Sequence, residues 1–485
     1  MCNNAPHIYL SSPHAISPNE RKYLLDAFDS NWIAPLGPHH MPTFLKSLLE
    51  RIEQSPVAKR IVSGAFWLVL GNGLARGLGF ISLVLVARIL GPKTFGEFGL
   101  IKSTALTFVT FSSFGMGLTA TKYIAELLPS DKERVGRIIG LNYLFTFFSS
   151  SVVAMAFWIA APWLCDSVLQ SPHLVGLMRL GAVLLFLTTF YTTQQGVLAG
   201  FQDFRGLAFA TILGNATMMP VYVAGAYYWG LTGVVVGAVT AAGLHAFINS
   251  VFIYRNTKHH AIRYRFSQAG RELGVLGWFS LPAVLSAIMY SVSFWGCQMM
   301  LGAQQDGAAQ LGVFYAANVI FSIIVTIPAM FSPVYVATLS EMFGQADMKR
   351  FRKTVLLSFM VNVSIVTILA LPFLCFPSLM MEWCFGESFR EGGGTLVLLS
   401  LTAILYIVGN VVDQVMAGMG RIWFAFGYCL AGAATTLIVY LVVAAWGSFG
   451  LAFALLSGFC TRFILFVPIF FYINIENSKA AWQYR

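Results

Sequence analysis

Long apolar runs recur along almost the whole chain, and they limit what it can fold into more than any other feature. A membrane-spanning helix needs about 20 mostly apolar residues. Runs of that kind fall at roughly 62–88, 97–120, 138–162, 175–199, 206–228 and 231–254, then at 273–298, 310–337, 355–377, 393–417, 422–445 and 450–474. They are too long and alternate too little to be membrane strands. The expected fold class is an all-α polytopic membrane protein with about twelve transmembrane helices. Composition agrees: 57% of residues are hydrophobic, only 10% are charged, and the mean hydropathy is +0.73. A soluble chain of this length carries about 25% charged residues to coat its surface, so a soluble enzyme is excluded. No cleavable signal peptide is expected, because the first apolar run begins near residue 61 and is too long for one.

The basic residues fix an orientation. Alternate connections hold Lys122, Lys132, Arg134 and Arg137; Arg205; Arg255, Lys258, Arg263, Arg265 and Arg271; Lys349, Arg350, Arg352 and Lys353; Arg421; and Lys479 and Arg485. The other connections hold only Arg88, Lys93 and Arg390. By the positive-inside rule both termini are expected on the cytoplasmic side of a bacterial inner membrane. The net charge of +10 follows from this pattern. It forms no single patch, so nucleic acid is not an expected partner. His259 and His260 read as part of a solvated basic loop. The seven cysteines show neither metal spacing nor a disulfide framework. Cys165 and Cys384, which fall near the outer face, are not expected to pair.

The two halves of the chain echo one another. Leu90-Gly91 with Gly96-Glu97-Phe98 matches Leu301-Gly302 with Gly312-Val313-Phe314. Gly196-Val197-Leu198-Ala199-Gly200 matches Gln414-Val415-Met416-Ala417-Gly418, and Trp229-Gly230 with Gly233 matches Trp446-Gly447 with Gly450. An even number of spans per repeat makes the repeats parallel, and transporters built that way hold substrate between two lobes. The expectation is two parallel six-helix lobes around a central cavity.

Four cations, Arg76, Lys102, Arg179 and Arg462, fall inside the spans, against one clear acid, Asp413. A charge at the centre of a lipid-facing helix costs at least about 2.5–3.5 kcal/mol, so these side chains are expected to face a wet interior. Asn72 lies four residues before Arg76 and shares its helix face. Gly71, Gly73, Gly77 and Gly79 surround the pair, and a bend or break is expected there. A cationic interior suits an anionic substrate, and phosphate pairs well with the arginine fork. Two alternatives stay open: Arg179, near a helix end, could snorkel outward, and Asp413 could pair structurally with Arg462. Otherwise Asp413 is the best ion- or proton-coupling residue. No P-loop is present, and nothing reads as a catalytic centre or a metal site.

From about residue 58 onward the chain resembles the Wzx-type oligosaccharide flippases, in the superfamily that includes multidrug exporters and lipid II flippases. The stretch Ala87-Arg88-Ile89-Leu90-Gly91-Pro92-Lys93-Thr94-Phe95-Gly96-Glu97-Phe98 carries the resemblance. Its Leu301-Gly302 and Leu311-Gly312-Val313-Phe314 echo, with Ala199-Gly200 and Ala417-Gly418, adds to it. About twelve spans suits Wzx-like members better than lipid II flippases, which usually carry two more. The resemblance implies a flippase for polyprenyl-pyrophosphate-linked glycan in O-antigen, lipopolysaccharide or related surface polysaccharide biosynthesis. It implies that Arg76 and Lys102 contact pyrophosphate or acidic sugars. It also implies transport driven by a proton or sodium gradient without a bound cofactor, and work alongside polysaccharide polymerase machinery. A multidrug or metabolite exporter of the same superfamily and a membrane glycan polymerase are the alternatives. A cationic interior disfavours the first, and the short outer connection near 378–392 disfavours the second.

Residues 8–37 differ in kind. Ile8-Tyr9-Leu10-Ser11-Ser12-Pro13-His14 and Asn19-Glu20-Arg21-Lys22-Tyr23 through Asn31-Trp32-Ile33-Ala34-Pro35-Leu36-Gly37 resemble the start of pyridoxal-phosphate-dependent (DegT/DnrJ-type) sugar aminotransferases. Only that opening is present, so no aminotransferase activity is expected. The expected organisation is therefore a remnant at 1–40, an amphipathic lead-in at 41–60 and an N-lobe at 61–255. A cytoplasmic basic loop at 256–272, a C-lobe at 273–475 and a cytoplasmic tail at 476–485 complete it.

Overall fold

The computed structural model describes residues 56–483 apart from 267–269, 271, 273–280, most of 331–347 and 419–421. The aminotransferase-like segment and most of the amphipathic lead-in lie outside the described residues. The helices are α1 (Pro56–Ser113), α2 (Met116–Leu127), α3 (Lys132–Trp163), α4 (Val175–Gly200), α5 (Phe204–His259) and α6 (Leu281–Gly302). They continue with α7 (Gly307–Ala329), α8 (Met348–Cys375), α9 (Pro377–Phe385), α10 (Gly393–Gly418), α11 (Ile422–Val443) and α12 (Gly447–Gln483).

Among the described residues, eight helical stretches are long and apolar enough to cross a membrane. Three of them run past 39 residues: Leu70–Ser113, Phe204–His259 and Phe426–Leu465. Each is broken at a glycine. Gly91 interrupts α1 at φ 72 and ψ 173. Gly230 interrupts α5 at φ 56 and ψ −132, and Gly447 stands between α11 and α12 at φ 59 and ψ −132. Only glycine adopts such backbone angles without strain. The near-identical geometry of Gly230 and Gly447 is the backbone form of the Trp-Gly echo. The break expected among Gly71, Gly73, Gly77 and Gly79 is not there: α1 is helical through that stretch and bends at Gly91 instead.

The surface supports burial in lipid. Phe147, Phe148, Val152, Ile159, Ile368, Leu441 and Val442 are exposed, an arrangement that water would penalise over so wide an area. Exposed Tyr227, Tyr228, Trp229, Trp163, Trp383 and Trp446 cluster at the end that holds Gly91, Gly230 and Gly447, while Tyr254, Tyr264 and Trp423 lie at the basic end. Such rings occupy membrane–water interfaces. Inside, helices are joined by short polar contacts. Ser112 meets Thr189 at 2.7 Å, Gln194 donates to Ser250 at 2.8 Å, and Thr395 meets Ser448 at 3.1 Å. These polar ties join helices where apolar burial alone gives little preference over lipid.

Helices α2 to α5 pack on one another, and α6, α7, α8, α10, α11 and α12 pack on one another. The second half of α1 lies against the latter group. Gly96 and Gly312, matched in the repeat, are in backbone contact: a Cβ on Gly96 would come within 2.7 Å of the Gly312 nitrogen, and one on Gly312 would overlap the Pro92 carbonyl. Further along the same seam Ser103 meets the Tyr315 hydroxyl at 2.9 Å, and Trp295 Nε1 donates to Thr104 at 3.1 Å. Arg88 reaches the seam's end, where its Nε donates to the Cys384 carbonyl at 2.7 Å and its other nitrogen to Trp383.

Two loop expectations change. The stretch near 378–392 is not an open loop but α9 followed by a 3-10 turn, Glu387–Gly392. The basic middle loop is strapped down rather than wholly solvated. Glu272 accepts from Arg134 and Arg137 at 3.0 Å each, Arg265 bonds Glu133 at 2.8 Å, and His260 stacks on Phe201. Cys165 and Cys384 are both free and buried.

Candidate functional site

A cavity of about 520 Å³ opens between α1, α4, both halves of α5 and α7. Its size suits a bulky polar headgroup rather than a single ion. Asn72 and Arg76 enter it from the first half of α1, and Lys102 enters from the second half. A Cβ at Gly73 or Gly77 would meet nothing within 4 Å beyond its own helix, so the glycines beside Arg76 leave open space rather than a kink. Arg76 and Asn72 are exposed to this space and Lys102 is half-buried, its ammonium 5.8 Å from the Phe98 ring centre. Among the described residues neither cation carries an ion pair. Among the described residues no aspartate or glutamate lines the cavity.

The rest of the wall is neutral and hydrogen-bonding. Tyr191, Thr192 and Gln195 come from α4, Thr211, Asn215 and His245 from α5, and Ser322 from α7. His245 stacks flat on Tyr191, with ring centres 4.5 Å apart and planes 5° apart, and its Nε2 lies 3.4 Å from Gln195 Nε2. None of these wall residues stood out in the sequence. Their signal is available only once α4 and α5 are laid side by side, because each is a lone polar residue in an apolar run.

The other charges are elsewhere. Arg462 was expected at the substrate cavity and Asp413 as a coupling residue; the two form an ion pair between α12 and α10 at 3.2 Å, the structural pairing left open in the sequence. Tyr428 donates to the same carboxylate, and the guanidinium lies 5.4 Å from the Tyr428 and Phe459 ring centres. The Arg462 side chain is 13% exposed and that of Asp413 42%, so the acid keeps an open face while the base is enclosed. Arg179 was expected there too. It instead lies over Trp158, 5.6 Å from its ring centre, and Trp158 is exposed on the outside of the helices. Its apolar stem lets it sit against a lipid-facing ring. Of the six sequence-derived residues, the fold gathers Asn72, Arg76 and Lys102 in one cavity, pairs Asp413 with Arg462, and leaves Arg179 apart. Among the described residues no group of histidine, cysteine and acidic side chains could hold a metal ion.

The family described as polysaccharide biosynthesis protein matches residues 61–343, more than half of the chain. This chain belongs to that family. Among its relatives is the EPS I polysaccharide export inner membrane protein EpsE of Ralstonia nicotianae, 24% identical over 78% of this chain and 85% of that protein. Another is the lipid III flippase of Escherichia coli, 21% identical over 60% of this chain and 70% of its own length. In fold, it is similar to an inward-facing multidrug resistance MATE family transporter of the MOP superfamily. There the TM-score is 0.68 at 15% identity, covering 84% of this chain and 96% of that one. The chain is thus a multi-pass helical membrane protein with a fold like that of the MATE family transporter.

Proposed function

We propose that this protein is a flippase that carries polyprenyl-pyrophosphate-linked oligosaccharide from the cytoplasmic to the outer leaflet of a bacterial inner membrane. The observation that carries the reading is the cavity in which, among the described residues, Arg76 and Lys102 have no ion-pair partner and the wall holds no carboxylate. Two uncompensated cations inside a membrane protein are costly, and an anionic ligand removes that cost. Pyrophosphate offers several oxygens to the Arg76 fork and to the Lys102 point charge. The family match and the polysaccharide exporter and lipid III flippase relatives support the same substrate class. A drug exporter for organic cations would want carboxylates in this wall.

In this reading the three glycine-broken stretches each cross twice. With Leu281–Gly302 that makes twelve crossings in two six-helix lobes, both termini cytoplasmic. The Gly96–Gly312 seam is the outer gate, closed here, and alternating access requires the lobes to part along it. Asp413, with its open face and its Arg462 partner, is the site at which a proton or sodium ion would couple. The protein catalyses no reaction, and it hands its cargo to polysaccharide polymerase machinery outside.

Loss of the gene tests the reading. Lipid-linked glycan is expected to accumulate on the cytoplasmic leaflet while surface polysaccharide falls. Normal surface glycan in a strain without a paralogue would overturn it.

A further inference from the structure

The internal duplication extends into the sites themselves. The register that matches Gly196 with Gln414 matches Gln195 with Asp413, the residue before each. The register that matches Trp229 with Trp446 matches His245 with Arg462, sixteen residues after each. Both pairs form contacts in space: Gln195 with His245 at 3.4 Å, and Asp413 with Arg462 at 3.2 Å. Both basic side chains rest on a glycine that lies before the glycine break, in the first half of α5 for His245 and in α11 for Arg462: a Cβ at Gly214 would come within 2.6 Å of His245 Cδ2 and one at Gly432 within 2.5 Å of Arg462 Cγ. The two halves therefore carry contacting pairs at matching positions. The C-terminal copy is a closed ion pair capped by Tyr428. The N-terminal copy is neutral and lines the cavity.

We infer that the N-terminal copy, Gln195 and His245 with Tyr191, is the subsite for the sugar next to the pyrophosphate. The inference rests on the proposed function and assigns a place to the neutral part of that cargo. Its chemistry is that of a carbohydrate site. A carboxamide both donates and accepts, so it can meet neighbouring ring hydroxyls. Among the described residues Gln195 Oε1 carries no hydrogen bond. The hydroxyls of Thr192, Thr211 and Ser322 donate back to their own helices, at 2.9, 2.8 and 2.7 Å. Their lone pairs remain to accept from sugar hydroxyls. The stacked Tyr191–His245 rings give a flat, rigid surface beside these groups. Arg76 and Lys102 hold the diphosphate in the same cavity, so the first sugar falls within reach of this wall.

The test uses the full chain in lipid nanodiscs with bare undecaprenyl pyrophosphate and with the same lipid bearing glucose, galactose or N-acetylglucosamine. For the native protein, one of the three glycolipids is expected to bind at least tenfold tighter than the bare lipid, about one good hydrogen bond's worth. In Gln195→Ala and in His245→Phe, which keeps a ring on Tyr191, that ratio should fall to within about twofold of one. Monodispersity and melting temperature are read for each variant. A third variant, Thr211→Val, removes only a wall hydroxyl and should lower the ratio partially. Tight binding of the bare lipid without preference for any sugar would overturn the subsite alone, as would a ratio unchanged in folded Gln195→Ala and Thr211→Val proteins. Failure of the native protein to bind even the bare lipid would overturn the flippase reading and the subsite with it.

Discussion

Gly96 and Gly312 meet backbone to backbone, with room for no side chain between them. They are the same residue of the duplicated motif, one from each half of the chain. The stretch that best marks the family in sequence is therefore the stretch that closes the two halves on each other. A valine at Gly96 would force the seam apart; overpacking of this kind costs about 1–3 kcal/mol. We predict that Gly96→Val shifts the protein toward an outward-open state. A cysteine placed at Tyr315, behind the seam, should react several-fold faster with a membrane-impermeant maleimide added outside.

Arg88 is a second fastening of that seam. It holds the carbonyls of Trp383 and Cys384 through two different nitrogens, and hydrogen bonds to a charged donor are worth about 1.5–3 kcal/mol each. A lysine keeps the charge but lacks the rigid fork that spans both carbonyls. Arg88→Ala should therefore loosen the seam most and Arg88→Lys less, by the same labelling assay.

Asp413 and Arg462 form a part-buried pair, and removing one partner strands the other. Breaking a buried pair costs about 3–5 kcal/mol; the 42% exposure of the Asp413 side chain places this one at the lower end. Asp413→Asn should lower the melting temperature, and Asp413→Asn with Arg462→Gln should restore most of it. Transport driven by a proton or sodium gradient should stay lost in the double variant. Restored transport together with restored stability would make the pair structural only.

Glu272 receives both Arg134 and Arg137 at 3.0 Å and is itself buried. Glu272→Gln should free the middle connection, which limited proteolysis would read as faster cleavage between residues 256 and 272. The overall melting temperature should drop only slightly, since the Arg134 side chain is 40% exposed and its ion pair is screened by solvent.

The helices were legible because burial in lipid leaves a strong, local signal. The run expected at 175–199 is α4, Val175–Gly200, and the run at 393–417 is α10, Gly393–Gly418. Arg76, Asn72 and Lys102 were legible for the same reason, as charge and amide where apolar residues belong. Arg179 and Arg462 gave the same signal for different causes. The first has a lipid-facing tryptophan to lie on and the second has a carboxylate to pair with, and neither partner is near it in sequence. The neutral wall of Tyr191, Gln195 and His245 was illegible, because uncharged polar residues in a membrane helix serve helix packing as often as binding. Only the meeting of α4 with α5 around a space separates the two uses.

In the proposed passage Arg76 and Lys102 hold the diphosphate of a lipid-linked glycan, and this hold is decisive. It is tested most directly by flipping of undecaprenyl-pyrophosphate-linked oligosaccharide in proteoliposomes, read by protection of the glycan from an added glycosidase. The native protein should move it, and Arg76→Ala and Lys102→Ala, correctly inserted, should each reduce the rate at least tenfold, with Arg76→Lys retaining part of it. Native rates in both alanine variants would contradict the account.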